Sequence, residues 1–173
     1  EYIARYHYLG YCPLPGAQMR FMVRHEEHLV ACLGFGAAAW RVAPRDHYIG
    51  WTDEQRQNNL HLVVNNARFL ILPWVTTKNI ASKILSLAAK QLPAAWKKRY
   101  GYSPLLLETF VECQRFKGTC YKAANWVNVG ITKGRGKLDV KNEYLLPTKY
   151  IFLYPLEKKS TQILCSQETE RSE

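Results

Sequence analysis

Arg68–Leu92 decides the fold of this chain, because its sequence RFLILPWVTTKNIASKILSLAAKQL joins an apolar strand directly to a long helix. The apolar run over Arg68–Val75 is typical of a strand at the centre of a sheet. From Thr77 to Leu92 the apolar residues recur at steps of three and four, which predicts a helix. Pro93 predicts the start of a separate short helix. An apolar strand follows at Leu105–Val111, so the order strand, helix, strand predicts a right-handed crossover and a parallel pair.

The segments on either side extend this unit into a larger sheet. Two apolar runs, Gln18–Arg24 and Leu29–Phe35, predict an antiparallel hairpin. Arg45–Trp51 is expected to be extended or irregular, and a capping box that begins at Thr52 predicts a helix over 53–65. The later patterns predict one short helix and two strands: Gly118–Asn125, Val127–Ile131 and Lys149–Tyr154. The predicted fold class is therefore α/β, with a mixed central sheet and flanking helices.

The composition indicates one basic globular domain. The chain has 173 residues, with 24 Lys and Arg against 14 Asp and Glu, and a formal net charge of +10. We expect the domain over 1–156 and a polar, flexible tail over 157–173. A hydrophobic share of 47% excludes a disordered chain, and no stretch reaches the roughly 18 apolar residues of a membrane span. Five cysteines without a C-x-x-C pair indicate a reduced, cytoplasmic protein.

The positive charge is concentrated between Arg115 and Lys141, where seven cations stand against one acid, Asp139. One interpretation is a solvated surface that happens to be basic. The other is a face for a polyanion, either nucleic acid or a phosphorylated cofactor. Aromatic residues interleaved with the cations favour nucleic acid, in the first place DNA. The candidate nucleic-acid-binding residues are Lys122, Lys133, Arg135 and Lys137.

The start of the long helix is a candidate phosphate site. Free backbone N–H groups and the positive end of the helix dipole favour an anion at this point, and small side chains let a ligand come close. The alternative is an ordinary strand-to-helix turn that Thr76 or Thr77 caps. The candidate cofactor-binding residues are Asn79, Ile80, Ala81 and Ser82.

Two carboxylates are candidates for proton transfer. Glu108 lies inside the apolar strand LLLETFV, where a carboxylate is either paired, for example with an arginine, or has a raised pKa suited to general-base catalysis. Asp46 follows Arg45 and is the second candidate. The five histidines show no metal-ligand spacing, so we expect no metal site.

Seven motifs spread over Arg5–Leu156 carry a family resemblance. They are YHYLGY (Tyr6–Tyr11), RDHYIGW (Arg45–Trp51), NNARFLILPWV (Asn65–Val75), NIASKIL (Asn79–Leu85), LLETFVE (Leu106–Glu112), GTCYKAANW (Gly118–Trp126) and GITKGRGK (Gly130–Lys137). Together they resemble the DruA family of Druantia anti-phage defence systems, whose domains also occur in transposon-associated proteins. The resemblance implies a setting in anti-phage defence or in a mobile element.

The order of elements is also similar to that of GNAT-type N-acyltransferases, a more distant resemblance. In that fold acyl-CoA lies where a central strand separates from its neighbour, and a Gly-rich turn before the next helix holds the pyrophosphate. The matching turn places Asn79 at a glycine position and Ala81 at the last small position. In the stretch YKAANW, Tyr121 matches the residue that protonates the leaving thiolate, and Asn125 takes a second glycine position. The resemblance implies acyl-CoA as cofactor.

Several classes of function follow from these observations. In the first, an acyl group passes to an amine, Glu108 or Asp46 accepts a proton and Tyr121 donates one. The amine is then a nucleobase amine, and Trp51, Trp74 or Trp126 stacks on the displaced base. The alternative is a catalytically inactive DNA-binding adaptor that acts with a helicase or a transposase. The third hypothesis is that the chain is a protein-interaction subunit. The expected partners are nucleic acid, other defence-system proteins or a transposase, and no membrane.

Overall fold

The computed structural model describes residues 1–134 and 146–166. Six strands form one sheet in these ranges: β1 (Gln18–His25), β2 (His28–Ala37), β3 (Val63–Ile71), β4 (Leu106–Glu112), β5 (Val127–Ile131) and β6 (Lys149–Pro155). The helices are α1 (Tyr2–Tyr6), α2 (Ala43–Ile49), α3 (Asp53–Asn59), α4 (Ile80–Tyr100), α5 (Thr119–Ala123) and α6 (Ser160–Leu164), and a 3₁₀ turn covers Leu60–Leu62.

The sheet has the strand order β1-β2-β3-β4-β6-β5 and is mixed, as predicted. The predicted hairpin is β1 with β2, and the predicted parallel pair is β3 with β4, joined through α4. That pair is short, because Val63–Asn65 aligns with Leu106–Glu108 and the two strands then separate. Beyond this point β3 stays paired with β2 and β4 with β6, so the centre of the sheet opens into a cleft.

Two hydrophobic layers, one on each face of the sheet, explain why the central strands are apolar along their whole length. Leu107 and Phe152 face the layer of α4, whereas Leu106 and Ile151 face the opposite layer of α2 and α6. Side chains alternate between faces along a strand, so a strand buried on both sides needs apolar residues at consecutive positions. The runs LLLETFV and KYIFLY satisfy this requirement.

The structure corrects three predictions before α4. The strand expected at Arg68–Val75 is β3, which ends at Ile71, so a connecting segment and not a direct junction leads into α4. Arg45–Trp51 is largely helical rather than extended, because Pro44 starts α2 and the left-handed Gly50 ends it. The capping box at Thr52 is confirmed, but α3 ends at Asn59 and not at 65. Residues 63 and 64 open β3 instead, since their adjacent apolar side chains are buried in different layers, as strand positions are.

The structure also corrects the helix boundaries around Pro93. α4 runs without a break from Ile80 to Tyr100, with Pro93 inside it, and the left-handed Gly101 ends it. A proline removes one backbone hydrogen bond, and burial of Leu92 and Trp96 on the sheet holds the helix across that point. In the segment predicted to be a solvated tail, 157–166 is not solvated throughout, because α6 buries Leu164 against α2 and α3.

Candidate active site

A cavity of about 490 Å³ occupies the cleft between the separating strands β3 and β4. Its walls include the two strands, the first turn of α4 and α5, and the N-terminal residues described below complete them. Asn66 and Thr109 lie at its base, one position beyond the last paired residues, and Tyr121 enters it from α5. Concave sites of this size at a change in strand pairing are common ligand sites in α/β proteins.

A β-bulge shapes the wall on the β3 side. Opposite β2, Gly34 aligns with Arg68 and Phe35 with Asn66, so Ala67 is the extra residue of the bulge. The side-chain amide of Asn66 donates to the carbonyls of Gly34 at 3.3 Å and Arg68 at 3.1 Å and so fixes this bend. Bulges of this kind re-aim side chains and end regular pairing beside functional sites.

Three side chains join across the base of the cleft. The hydroxyl of Tyr121 donates to Oδ1 of Asn66 at 2.9 Å, and the hydroxyl of Thr109 donates to the carbonyl of Asn66 at 2.9 Å. The ring of Tyr121 stacks on Phe152 with the centroids 5.7 Å apart. Burial raises the pKa of Tyr121, so the phenol keeps its proton at neutral pH and points it into the cleft wall.

The first turn of α4 lies beside the same cavity. Ala81 lines it, and Asn79, Ile80 and Ser82 complete the turn. Asn79 has φ 60° and ψ 7°, the left-handed conformation that glycine adopts most easily and asparagine next. The departure from glycine at this position therefore keeps the backbone conformation that a glycine turn needs.

Asn125 repeats this relation at the end of α5. Its φ is 65°, so asparagine again occupies a left-handed position where the resembling motif has glycine. The turn brings Trp126 back onto Tyr121, with ring centroids 5.1 Å apart. Trp126 and Trp51 are buried, so Trp74 is the one exposed residue of the three tryptophans proposed for base stacking. Trp40 is also exposed and was not proposed from the sequence.

Glu108 is paired, which is the structural alternative for this residue. Its Oε2 accepts from the guanidinium of Arg45 at 2.8 Å, and its Oε1 accepts from the N–H of Ala39 at 2.8 Å. Both side chains of the ion pair are fully buried. Burial raises the pKa of Glu108, whereas Arg45 and the N–H of Ala39 favour the carboxylate. Both oxygens are thus engaged inside the protein rather than directed into the cleft.

Asp46 joins Arg45 to the surface. Its Oδ1 accepts from Arg45 at 2.8 Å and from the indole of Trp51 at 3.1 Å, and its Oδ2 accepts from the N–H of Val42. Sequence reasoning placed Asp46 and Glu108 together as acids, and the structure connects them through one arginine. Asp46 also borders a second cavity, on the α2 side of the sheet.

This second cavity has a volume of about 760 Å³ and lies between the start of α2, α3 and the ends of β5 and β6. Phe110 of β4 lines both cavities, so the two adjoin at this ring. Arg56 lines it too, and sequence reasoning missed this residue because its burial depends on contacts with Trp40 and Asp46, which come from other elements.

An N-terminal segment that we call the arm (residues 2–10) crosses the mouth of the cleft. Tyr6 packs edge-on against Trp74, with centroids 5.8 Å apart, and the ring of Tyr8 lies 5.2 Å from the ring of Phe116. At the end of the arm the carbonyl of Gly10 accepts from Arg68 at 3.2 Å. The arm therefore forms part of the cavity wall. In the sequence, YHYLGY of this arm is identified only as a family motif, which does not predict this role.

His7 anchors the arm in its neutral form. Its Nδ1 accepts from the N–H of Leu9 at 3.2 Å, which requires this nitrogen to be unprotonated. Burial and the nearby positive charge of Arg68 lower the pKa of His7 to about 4.

The predicted nucleic-acid-binding residues are distributed over different elements. Lys122 is exposed on α5, and Lys133 is exposed beyond β5, where it lines the second cavity. Arg135 and Lys137 lie outside the described residues. Within the described ranges, no group of three or more His, Cys, Asp or Glu side chains is placed to hold a metal ion. None of the helices described has the length and apolar composition needed to cross a membrane.

Solved structures with the same arrangement define the class of fold. The chain is similar to a mutant of the spermidine N-acetyltransferase SpeG from Vibrio cholerae, with 12% identity, a TM-score of 0.53 and coverage of 84% of this chain and 69% of that chain. It is also similar to a chimera of that enzyme and hSSAT, with 12% identity, a TM-score of 0.51 and coverage of 81% and 68%. At these identities the likeness establishes the fold, which is that of GNAT-type N-acetyltransferases.

The sequence comparison is more specific. The family described as Druantia protein DruA matches residues 1–163, and the chain belongs to this family. A search of curated protein sequences finds no match. The GNAT-like α/β fold and the DruA resemblance are both confirmed.

We expect Glu108→Gln to destabilise the fold by about 3 kcal/mol in denaturant unfolding, because it leaves a buried arginine without its partner. This is the lower end of the usual range, since Arg45 keeps Asp46. Glu112→Gln is the matched control: it breaks an ion pair with an exposed arginine, Arg115, and should cost below about 1 kcal/mol. Equal losses for the two variants would show that the buried pair is not a structural anchor.

We expect the arm to dock less tightly as the pH falls from about 6.5 to about 4. A free histidine gains a proton near pH 6.5, whereas docked His7 resists protonation until about pH 4, so protons favour the released arm across this window. The NMR signal of the Trp74 indole reports docking, because Tyr2 and Tyr6 pack on that ring. His7→Leu should abolish the pH dependence and His28→Leu, at an exposed histidine, should not. An unchanged Trp74 signal from pH 7 to pH 4 contradicts the assignment.

Proposed function

We propose that this chain transfers an acyl group from acyl-CoA to an amine, with the thioester held in the cleft between β3 and β4. The observation that carries the proposal is the cavity at the point where the two parallel strands separate, with a buried tyrosine hydroxyl in its wall. The GNAT-type fold supports it, although the fold by itself does not establish an activity.

The residues around the cleft fit acyl-CoA in its general chemistry. This cofactor supplies a thioester carbonyl, a sulfur leaving group and anionic phosphates. Ala81 lets a ligand approach the start of α4. The backbone N–H groups of Ile80 and Ala81 have no carbonyl acceptor within the helix, because they lie in its first turn. Left-handed Asn79 gives the turn its glycine-like shape. The phosphates would lie at this turn and the thioester chain would extend along the wall formed by β3.

Tyr121 is the proposed proton donor. Burial raises its pKa and so keeps the phenol protonated, and the O–H, which donates to Asn66 in this structure, would turn from Asn66 to the sulfur. As the amine nitrogen bonds to the carbonyl carbon and the carbon–sulfur bond breaks, Tyr121 gives its proton to the sulfur. The amine loses one proton in the same reaction to the candidate acceptor described below, and that acceptor returns a proton through solvent to the Tyr121 phenolate, which balances the step.

Glu108 and Asp46 take different parts in this proposal. We assign Glu108 a positioning role, because its oxygens bind Arg45 and Ala39 and hold the strand beneath the cleft. Asp46 borders the second cavity and is the candidate proton acceptor there, with Arg45 and Trp51 fixing its orientation. This assignment separates the two acids that the sequence grouped.

The second candidate is a nucleic-acid-binding module without acyl transfer. The exposed cations favour it, since Lys97, Lys98 and Arg99 end α4 on the surface and Lys122 is exposed beside the cleft. Membership in the DruA family supports a role in anti-phage defence or in a mobile element, together with other defence-system proteins or a transposase. The proposed acyl transfer and nucleic-acid association are compatible, and the amine of a nucleobase is an acceptor that joins them.

Isothermal titration calorimetry with acetyl-CoA tests the first candidate. We expect binding, and we expect Tyr121→Phe to keep the affinity but to lower the rate of acyl transfer by about 10²- to 10⁴-fold, the usual contribution of a positioned acid. Tyr102→Phe, at the opposite end of α4, is the matched control and should leave both values unchanged.

Two results would overturn the acyl-transfer proposal. One is the absence of acetyl-CoA binding while a short oligonucleotide still binds, which favours the module without transfer. The other is an unchanged transfer rate in Tyr121→Phe, which would remove Tyr121 from the chemistry.

A further inference from the structure

The second cavity carries more positive than negative side chains. Arg41, Arg56 and Lys133 line it against one carboxylate, Asp46. Asp46 accepts from Arg45, Trp51 and Val42, and its Oδ2 lies 4.0 Å from Nη1 of Arg56, so its charge is largely offset. Asp53 pairs with both Arg41 and Arg56 at 2.7 Å from the exposed side. An anion that enters the cavity therefore meets Lys133 and the inner edge of Arg56.

Arg56 provides the observation that points to a ligand. The residue is 4% exposed, and among the described residues its Nε has no hydrogen-bond partner. A buried donor without a partner is unfavourable, and more so in a charged group. Its Nη1 is held by Asp53 at 2.7 Å and its guanidinium lies 5.8 Å from the ring of Trp40, so the side chain is fixed in place. A ligand oxygen at this edge would satisfy the donor.

The remainder of the wall is apolar. Phe110 presents an aromatic ring, and Ile131 and Ile151 continue the apolar surface beside it. A volume of about 760 Å³ exceeds what a bare phosphate needs and suits an organic anion. A flat aromatic group packs well on such a wall, while a phosphate binds at the cationic end.

We propose that this cavity binds a nucleotide, with the phosphate at Arg56 and Lys133 and the base against Phe110. Arginine suits phosphate because its planar N–H groups pair with two oxygens at once. Because Phe110 also lines the cleft, a nucleotide bound here lies next to the proposed thioester site. A role of this nucleotide as the acyl acceptor rests on the proposed function. The binding of a nucleotide in this cavity does not depend on it.

Binding of adenosine monophosphate, adenosine and a 5′-phosphorylated oligonucleotide to the whole chain tests this proposal by calorimetry. We expect the monophosphate to bind and adenosine to bind at least about tenfold more weakly, since a charge-assisted hydrogen bond contributes about 1.5–3 kcal/mol. If the oligonucleotide binds more tightly than the monophosphate, the ligand is a nucleotide within a strand. If it binds more weakly, the ligand is a free nucleotide.

Variants locate the site. We expect Arg56→Gln and Lys133→Gln each to weaken binding of the monophosphate by roughly tenfold. Arg24→Gln, at an exposed arginine on β1, should leave that affinity unchanged. Lys133 is exposed, so its variant keeps the test valid if Arg56→Gln does not fold.

The proposal is overturned if the monophosphate and the oligonucleotide both fail to bind at millimolar concentration. It is also overturned if Lys133→Gln binds as the unmodified chain does. Nucleotide binding without acetyl-CoA binding would leave this inference standing and contradict the proposed acyl transfer, so the two failures are distinguishable.

Discussion

The ion pair between Arg45 and Glu108 fixes the point at which the sheet opens. Glu108 is the last residue of β4 that aligns with β3, opposite Asn65, and the strands separate immediately beyond it. Arg45 reaches this point from α2, where it also binds Asp46, so one buried cation connects the sheet centre to this helix. Removing either partner leaves an uncompensated buried charge, which strongly destabilises the folded protein.

The two cavities lie on either side of this point, and each depends on it. On the α4 side, Asn66 and Thr109 are the first residues beyond the paired segment, and their hydrogen bonds place Tyr121. On the α2 side, Asp46 is oriented by the same arginine. Phe110 separates the two spaces. A cofactor on one side and an acceptor on the other would therefore meet at a single position of β4.

Much of the fold could be predicted from the sequence, because periodicity records which faces are buried. The runs at Leu105–Val111 and Lys149–Tyr154 are apolar on both faces and were assigned correctly. The partners of Glu108 could not be predicted, since Arg45 lies 63 positions away and its approach depends on α2 being a helix. The roles of Asn66 and Arg56 arise from a bulge and a packing contact, which leave no period in the sequence.

Hydrogen exchange with and without acetyl-CoA tests most directly whether the cleft is the cofactor site. We expect acetyl-CoA to slow exchange in two places, the first turn of α4 and the part of β3 beyond Asn65, because a ligand in the cleft contacts both. Exchange in the hairpin of β1 and β2 around His25 should stay unchanged. Slower exchange at the hairpin alone, or no change anywhere, would contradict the central claim that the opening between β3 and β4 holds the acyl donor.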